Sequence, residues 1–315
     1  MSDSPKDLTV PTLALHGHLG WVNCVAISPE GFRAASGGED GTLRTWQIYD
    51  GKQLDVCDLG SPVKSVCYGD DDLTLAAGCK NGTIRYWGGL STGLQSGTMQ
   101  GAEDLESGWI QALNYIPEKG SIIFSVQPAN SELIRIAELG GDGWSAPFND
   151  EYLDATCIAV EPEGKWFAAG NIDKISVYEL PDSDSPDPDP TCEIECDGSV
   201  TSLAISETGA IVAGDSEGKI AVWDMGSQSR IMELTGHQDG STVNALALKQ
   251  HMLASAGDDS TVRVWDIRSG QCLAVLHHRE GSVALGVAMR FSGKRIVSAG
   301  SDGLLVWDLD AHGIR

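Results

Sequence analysis

Basic residues are scarce. The 315-residue chain has 21 Lys and Arg against 45 Asp and Glu, a formal charge of −24. That excludes a broad basic face that binds nucleic acid by neutralising phosphates. It also excludes a polybasic membrane attachment. Long apolar runs are missing, since none approaches the roughly 20 residues of a membrane span. The opening Met1-Ser2-Asp3-Ser4-Pro5-Lys6-Asp7 has no positive head and apolar run, so no signal peptide is visible. The sequence has no Cys-x-x-Cys, no His-Glu-x-x-His and no glycine loop of phosphate-binding spacing. Cys192 and Cys196 are near neighbours but have no His beside them. No metal, no cofactor, no small-molecule substrate and no enzymatic activity are therefore expected. The cysteines read as free thiols of a cytoplasmic protein.

Two residue types run the other way. Glycine is 38 of 315, well above the usual ~7%. Trp, at nine, outnumbers both Tyr and Phe. A turn-rich, periodic β protein explains both, and a period is present. Trp46, Trp87, Trp223, Trp265 and Trp307 each end a short strand-like run, as in Val262-Arg263-Val264-Trp265-Asp266. Ile136 and Tyr178 fill the gap between the second and third tryptophan. The seven anchors lie 41, 49, 42, 45, 42 and 42 residues apart. Upstream of each lies an alternating, β-branched run such as Val200-Thr201-Ser202-Leu203-Ala204-Ile205, the pattern of a half-buried strand. Between the two sits a small-residue run and a Gly/Asp turn, as in Ala34-Ala35-Ser36-Gly37-Gly38-Glu39-Asp40-Gly41. Four strands per repeat, seven times, predicts an all-β, seven-bladed β-propeller.

Gly17-His18 with Trp46, Gly236-His237 with Trp265-Asp266, and Trp307-Asp308 resemble the GH and WD dipeptides of the WD-repeat family. The resemblance covers residues 11–309, with 1–10 and 310–315 as tails. It implies a His–Ser–Asp–Trp hydrogen-bonded tetrad in each complete repeat. The first repeat supplies His18, Ser36, Asp40 and Trp46. The sixth supplies His237, Ser255, Asp259 and Trp265. The seventh supplies His278, Ser298, Asp302 and Trp307. The second repeat has Ala77 and Asn81, and the fifth Ala213 and Glu217, where Ser and Asp belong. The His/Ser/Asp sets resemble catalytic triads by residue type, but their repetition marks them as structural. Only eight residues follow Trp307, too few for another strand. Thr12-Leu13-Ala14-Leu15 is therefore expected to complete the last blade.

The stretch Leu13 to Val22, with Gly17-His18 and Gly20-Trp21, is similar to the opening of the family of receptors for activated C kinase. These are Gβ-like scaffolds on the head of the small ribosomal subunit. The resemblance implies a scaffold that contacts ribosomal proteins and rRNA and links signalling proteins to translation. In that family a basic residue flanks the Asp of the first-repeat turn on both sides. Here the turn reads Glu39-Asp40-Gly41. Lys64, Lys80 and Arg85, with Lys52 and Arg33 near, are then the expected contacts. Trp21 and Trp109, each just ahead of an inner strand, are either interface anchors or packing between blades. The acidity sits in residues 101–200, with 4 basic and 21 acidic groups, net −17. That segment includes the Pro-Asp run 181–190 and suits a basic protein partner, the alternative to the ribosomal reading.

Overall fold

The computed structural model describes residues 4–89, 94, 98–101, 108–117, 119–127, 133–139, 155–180, 189–290 and 294–314. Seven antiparallel sheets follow one another along the chain and form a ring. Blade one is Val22–Ile27, Arg33–Gly38, Thr42–Gln47 and Gln53–Asp58, from the inside outward. Blade two runs from Val63–Tyr68 to Thr98–Gly101, and blade four from Cys157–Val160 to Cys192–Glu195. Blade five runs from Val200–Ile205 to Ser229–Leu234, and blade six from Val243–Lys249 to Gln271–His277. Blade three shows Trp109–Ile116, Ser121–Gln127 and Leu133–Glu138 among the described residues.

Blade seven closes the ring with a strand from the other end of the chain. Ala284–Arg290, Arg295–Gly300 and Gly303–Asp308 are joined by Leu13–Leu15, which pairs antiparallel with Gly303–Asp308. The inner strand of blade seven packs beside that of blade one. This is the closure expected from the short C-terminus.

The ends do more than hang as tails. Lys6–Leu8 adds a parallel fifth strand to blade six, and Asp7 meets His277 at 3.1 Å. Lys6 Nζ donates to the His312 and Gly313 carbonyls. Ile314 is buried in the core cluster of blades six and seven. The polar opening residues gave no alternation by which to read a strand.

The core lies between blades. Ala35 and Leu43 of blade one pack on Val63, Val66 and Leu75 of blade two. The small residues of each second strand let the blades approach. A Cβ on Gly37 would come 2.4 Å from Val63, and one on Gly214 2.6 Å from Val243. All eight cysteines are free thiols. Among the described residues no helix is long and apolar enough to cross a membrane.

Candidate functional site

The three complete tetrads close as chains. Trp46 Nε1–H donates to Ser36 Oγ at 2.8 Å, Ser36 Oγ lies 2.8 Å from His18 Nε2, and His18 Nδ1 lies 3.0 Å from Asp40. The sixth blade repeats this at 2.9, 2.7 and 3.0 Å, and the seventh at 3.0, 2.8 and 2.6 Å. Because the indole donates to the serine oxygen, the hydroxyl proton goes to Nε2 and the Nδ1–H to the carboxylate. Ser36, Ser255 and Ser298 are fully buried, so no substrate reaches these oxygens. The tetrads hold the turns of each blade in place.

These groups make the fold acid-sensitive. Burial alone would raise the Asp40 carboxyl, but hydrogen bonds from the Leu19 N–H, His18 and Thr42 outweigh it and hold it at about 2. Asp259 and Asp302 are also held below the usual carboxylate range by their histidines, against burial. Burial lowers His18 against the pull of Asp40. All four groups have lower values folded than unfolded. Their contribution is therefore full above the unfolded pKa and is lost as pH falls toward the folded one. The melting temperature should begin to drop below about pH 6.5, the ordinary His value, and drop further below about pH 4. A flat profile from pH 7 to pH 3 would contradict this.

The candidate face is the one at the GH loops. Inner strands start there, and second strands end there in a turn. A β-bulge falls at the start of six of the seven inner strands. The bulged residues are Asn23, Lys64, Gln111, Thr201, Asn244 and Leu285, and Thr156 holds the same place in blade four. All seven line the central channel, a cavity of about 560 Å³. A bulge turns its side chain out of the ladder, and here it turns it into the channel mouth. Four of these residues also stitch neighbouring blades. Asn23 donates to Val63 O at 2.9 Å, Thr156 to Val200 O at 2.6 Å, Thr201 to Val243 O at 2.7 Å and Asn244 to Ala284 O at 3.0 Å. Sequence reasoning missed this set, because its members share a position and not a residue type.

Lys64 instead reaches Glu39 at 2.5 Å. Lys80 lies over the Trp109 ring, 5.6 Å from its centroid. The Trp109 Nε1–H donates to Gln127 Oε1. Trp21 is 51% exposed, and Trp109 is 37% exposed with one face covered by Lys80 of the neighbouring blade. Trp21, Trp109, Lys64 and Lys80 thus share one rim.

The other expected contacts do not join them. Arg33 starts the second strand of blade one and Lys52 lies in the turn between its third and fourth strands, both at the opposite face because antiparallel strands reverse direction. Arg85 lies within blade two, 5.6 Å from the Trp87 ring centroid, with Nη1 3.4 Å from Cys57 Sγ. The five cations therefore form no single patch. Phe32 and Tyr49 are exposed on the opposite face, and the sequence analysis did not single them out. Residues 181–188 of the acidic run lie outside the described residues.

The family model "WD domain, G-beta repeat" matches residues 9–47, 52–88, 189–224 and 228–266. The chain is a WD40-repeat β-propeller. Each matched segment spans the outer strand of one blade and the first three strands of the next, in blades one, two, five and six, and the anchors Ile136, Tyr178 and Trp307 lie outside them. Small ribosomal subunit protein RACK1y of Oryza sativa subsp. japonica is 40% identical over 73 residues, 23% of this chain and 21% of that protein. Telomerase protein component 1 of Rattus norvegicus is 25% identical over 310 residues, 91% of this chain and 11% of that protein. Anaphase-promoting complex subunit cdh1 of Dictyostelium discoideum is 32% identical over 123 residues, 37% of this chain and 16% of that protein. The chain therefore spans about a fifth or less of the length of these relatives. The WD40-repeat chain is of the scaffold type.

Proposed function

We propose that this WD40-repeat chain is a non-catalytic adaptor that holds a polypeptide partner at the mouth of its central channel, on the GH-loop face. The carrying observation is the rim of exposed Trp21 and Trp109 with Lys80 over the Trp109 ring. Exposed aromatics with large contact area and few rotatable bonds are the usual anchors of an interface. Six of the seven residues at these channel positions are polar and give a peptide hydrogen-bond partners inside the mouth. Changing Trp21 and Trp109 to Ser should reduce partner recovery on immobilised chain at least about tenfold, the loss of one anchor contact. Changing Phe32 and Tyr49 to Ser should leave it intact. The reverse pattern overturns the reading.

The match to a small ribosomal subunit protein favours one particular partner, the small ribosomal subunit. The resemblance of Leu13 to Val22 adds, as part of the same proposal, ribosomal proteins and rRNA as contacts in the cytoplasm and signalling proteins docked elsewhere on the ring. Lys64 and Lys80 are the cations placed to make that contact. Glu39 offsets Lys64, which favours protein over RNA as the touching surface. The chain should then comigrate with small subunits at low salt, and changing Lys64 and Lys80 to Glu should weaken this. Absence from ribosomal fractions at low salt overturns the ribosomal reading and leaves the adaptor standing. The net −17 of residues 101–200 supports a basic protein partner as the alternative.

A further inference from the structure

Blade five keeps its tryptophan but has lost everything around it. Cys196 stands where His18 stands in blade one, four residues ahead of the inner strand. Ala213, Glu217 and Ala221 stand where blade one has Ser36, Asp40 and Arg44. Blade four dropped the tryptophan together with its serine, and blade three has Ile136 in place of the tryptophan and keeps Ser125 at the serine position. Blade two lost its serine, and there Trp87 Nε1–H donates to the Leu94 carbonyl at 2.6 Å. Blade five has no such substitute. Trp223 Nε1 is buried and meets no acceptor among the described residues.

A pocket opens at this place, with about 40 Å³ of free volume. A single water needs about 10–15 Å³, so more than one water fits. Cys196, Ala213, Ala221 and Trp223 line its apolar part, and Asp215 and Glu233 its polar part. Arg230 is held at 3.3 Å from Asp197 and 3.1 Å from Glu233. Asp215 Oδ1 already accepts the N–H groups of Glu217 and Lys219.

The chemistry narrows what can enter. The unmatched indole N–H requires an acceptor, so an ammonium or guanidinium leaves it unpaired. A carboxylate would join three others, Asp197, Asp215 and Glu233, against the two cations Lys219 and Arg230. An imidazole cannot take the place of the tetrad histidine. Asp215 occupies the position of Gly38, where a Cβ would come 2.6 Å from the His18 ring nitrogen. A neutral planar group with one acceptor and adjacent donors meets every condition.

We propose that the blade-five pocket is a binding site for a primary carboxamide, the side chain of a Gln or Asn presented by a partner. Its carbonyl oxygen accepts from Trp223 Nε1–H, and its NH₂ donates to the carboxylates of Asp215 and Glu233. This site is separate from the channel mouth and does not depend on it.

The test follows the Trp223 indole N–H resonance of the full chain labelled with ¹⁵N-tryptophan, assigned with Trp223→Phe. Propionamide is the probe. It should shift that resonance saturably, with half-saturation on the order of 10–100 mM, as a ligand of about five heavy atoms allows. Propionate, ethylguanidinium and imidazole should not. A short peptide carrying one Gln should compete with propionamide, which separates a presented side chain from a free small amide. Ala213→Ser restores the internal acceptor, as in blades one, six and seven. In that variant the resonance should already be shifted, and propionamide should bind at least tenfold more weakly. No saturable shift (a pocket that holds water only), an equal response to propionate or imidazole, or an undiminished response in Ala213→Ser overturns the proposal.

Discussion

Removal of residues 1–16 is expected to lower the melting temperature by about 10–20 °C. Leu13 to Leu15 pairs with Leu304 to Val306 and is the outer strand of blade seven. Leu15 is 4% exposed and packs with Trp46, Val297 and Leu304 in the core shared by blades seven and one. Losing a buried Leu costs about 1.5–3 kcal/mol. The strand hydrogen bonds add about 1 kcal/mol each. The Thr12 N–H, which donates to the Val306 carbonyl at 2.8 Å, goes with them. Lys6–Leu8 leaves blade six as well. A total of about 5–10 kcal/mol, at roughly 2 °C per kcal/mol for a chain of this size, gives the expected shift. The bared edge of Gly303–Asp308 should also promote aggregation. Calorimetry with light scattering measures both. A truncated chain that melts like the full one contradicts ring closure by this strand.

Ser255→Ala is expected to lower the melting temperature by about 5–10 °C, although it removes a single oxygen atom. Ser255 Oγ joins two buried groups, the Trp265 indole at 2.9 Å and the His237 ring at 2.7 Å. Truncation strands both, at about 1–3 kcal/mol each. Thermal denaturation of the variant, against an exposed control such as Ser227→Ala, measures it. Loss of both sides of such a bond is tolerated, and blade four shows how. It has Ala169 and Tyr178 at the serine and tryptophan positions, and Tyr178 stacks on Phe167 with centroids 5.1 Å apart. A change in melting temperature below about 1 °C for Ser255→Ala would mean that the tetrad is not held by its serine.

The ring was legible because its signal repeats. Trp46, Trp265 and Trp307 carry the spacing, and His18, His237 and His278 fall where the tetrad requires them. The short chain after Trp307 even revealed which segment completes blade seven. What escaped was set by position and not by residue type. Asn23, Gln111, Thr201 and Leu285 share no residue type, and only the bulge places them together. Arg33 and Lys52 are close to Lys64 in sequence, yet strand reversal sends them to the other face. Lys6–Leu8 is polar and short, so its pairing with Ala274 to Leu276 had no local signature. The Leu94 carbonyl that rescues Trp87 belongs to the backbone, which no side-chain pattern discloses.

A contact map from two opposed positions tests the proposed partner site on the GH-loop face most directly. A photocrosslinking residue is introduced at Lys80, beside Trp109, and in a second chain at Lys52, on the opposite face. Both chains are exposed to the same extract and irradiated. The account predicts partner adducts from position 80 that disappear when Trp21 and Trp109 are changed to Ser, and none of those adducts from position 52. The same partner captured from position 52 and absent from position 80 would contradict it.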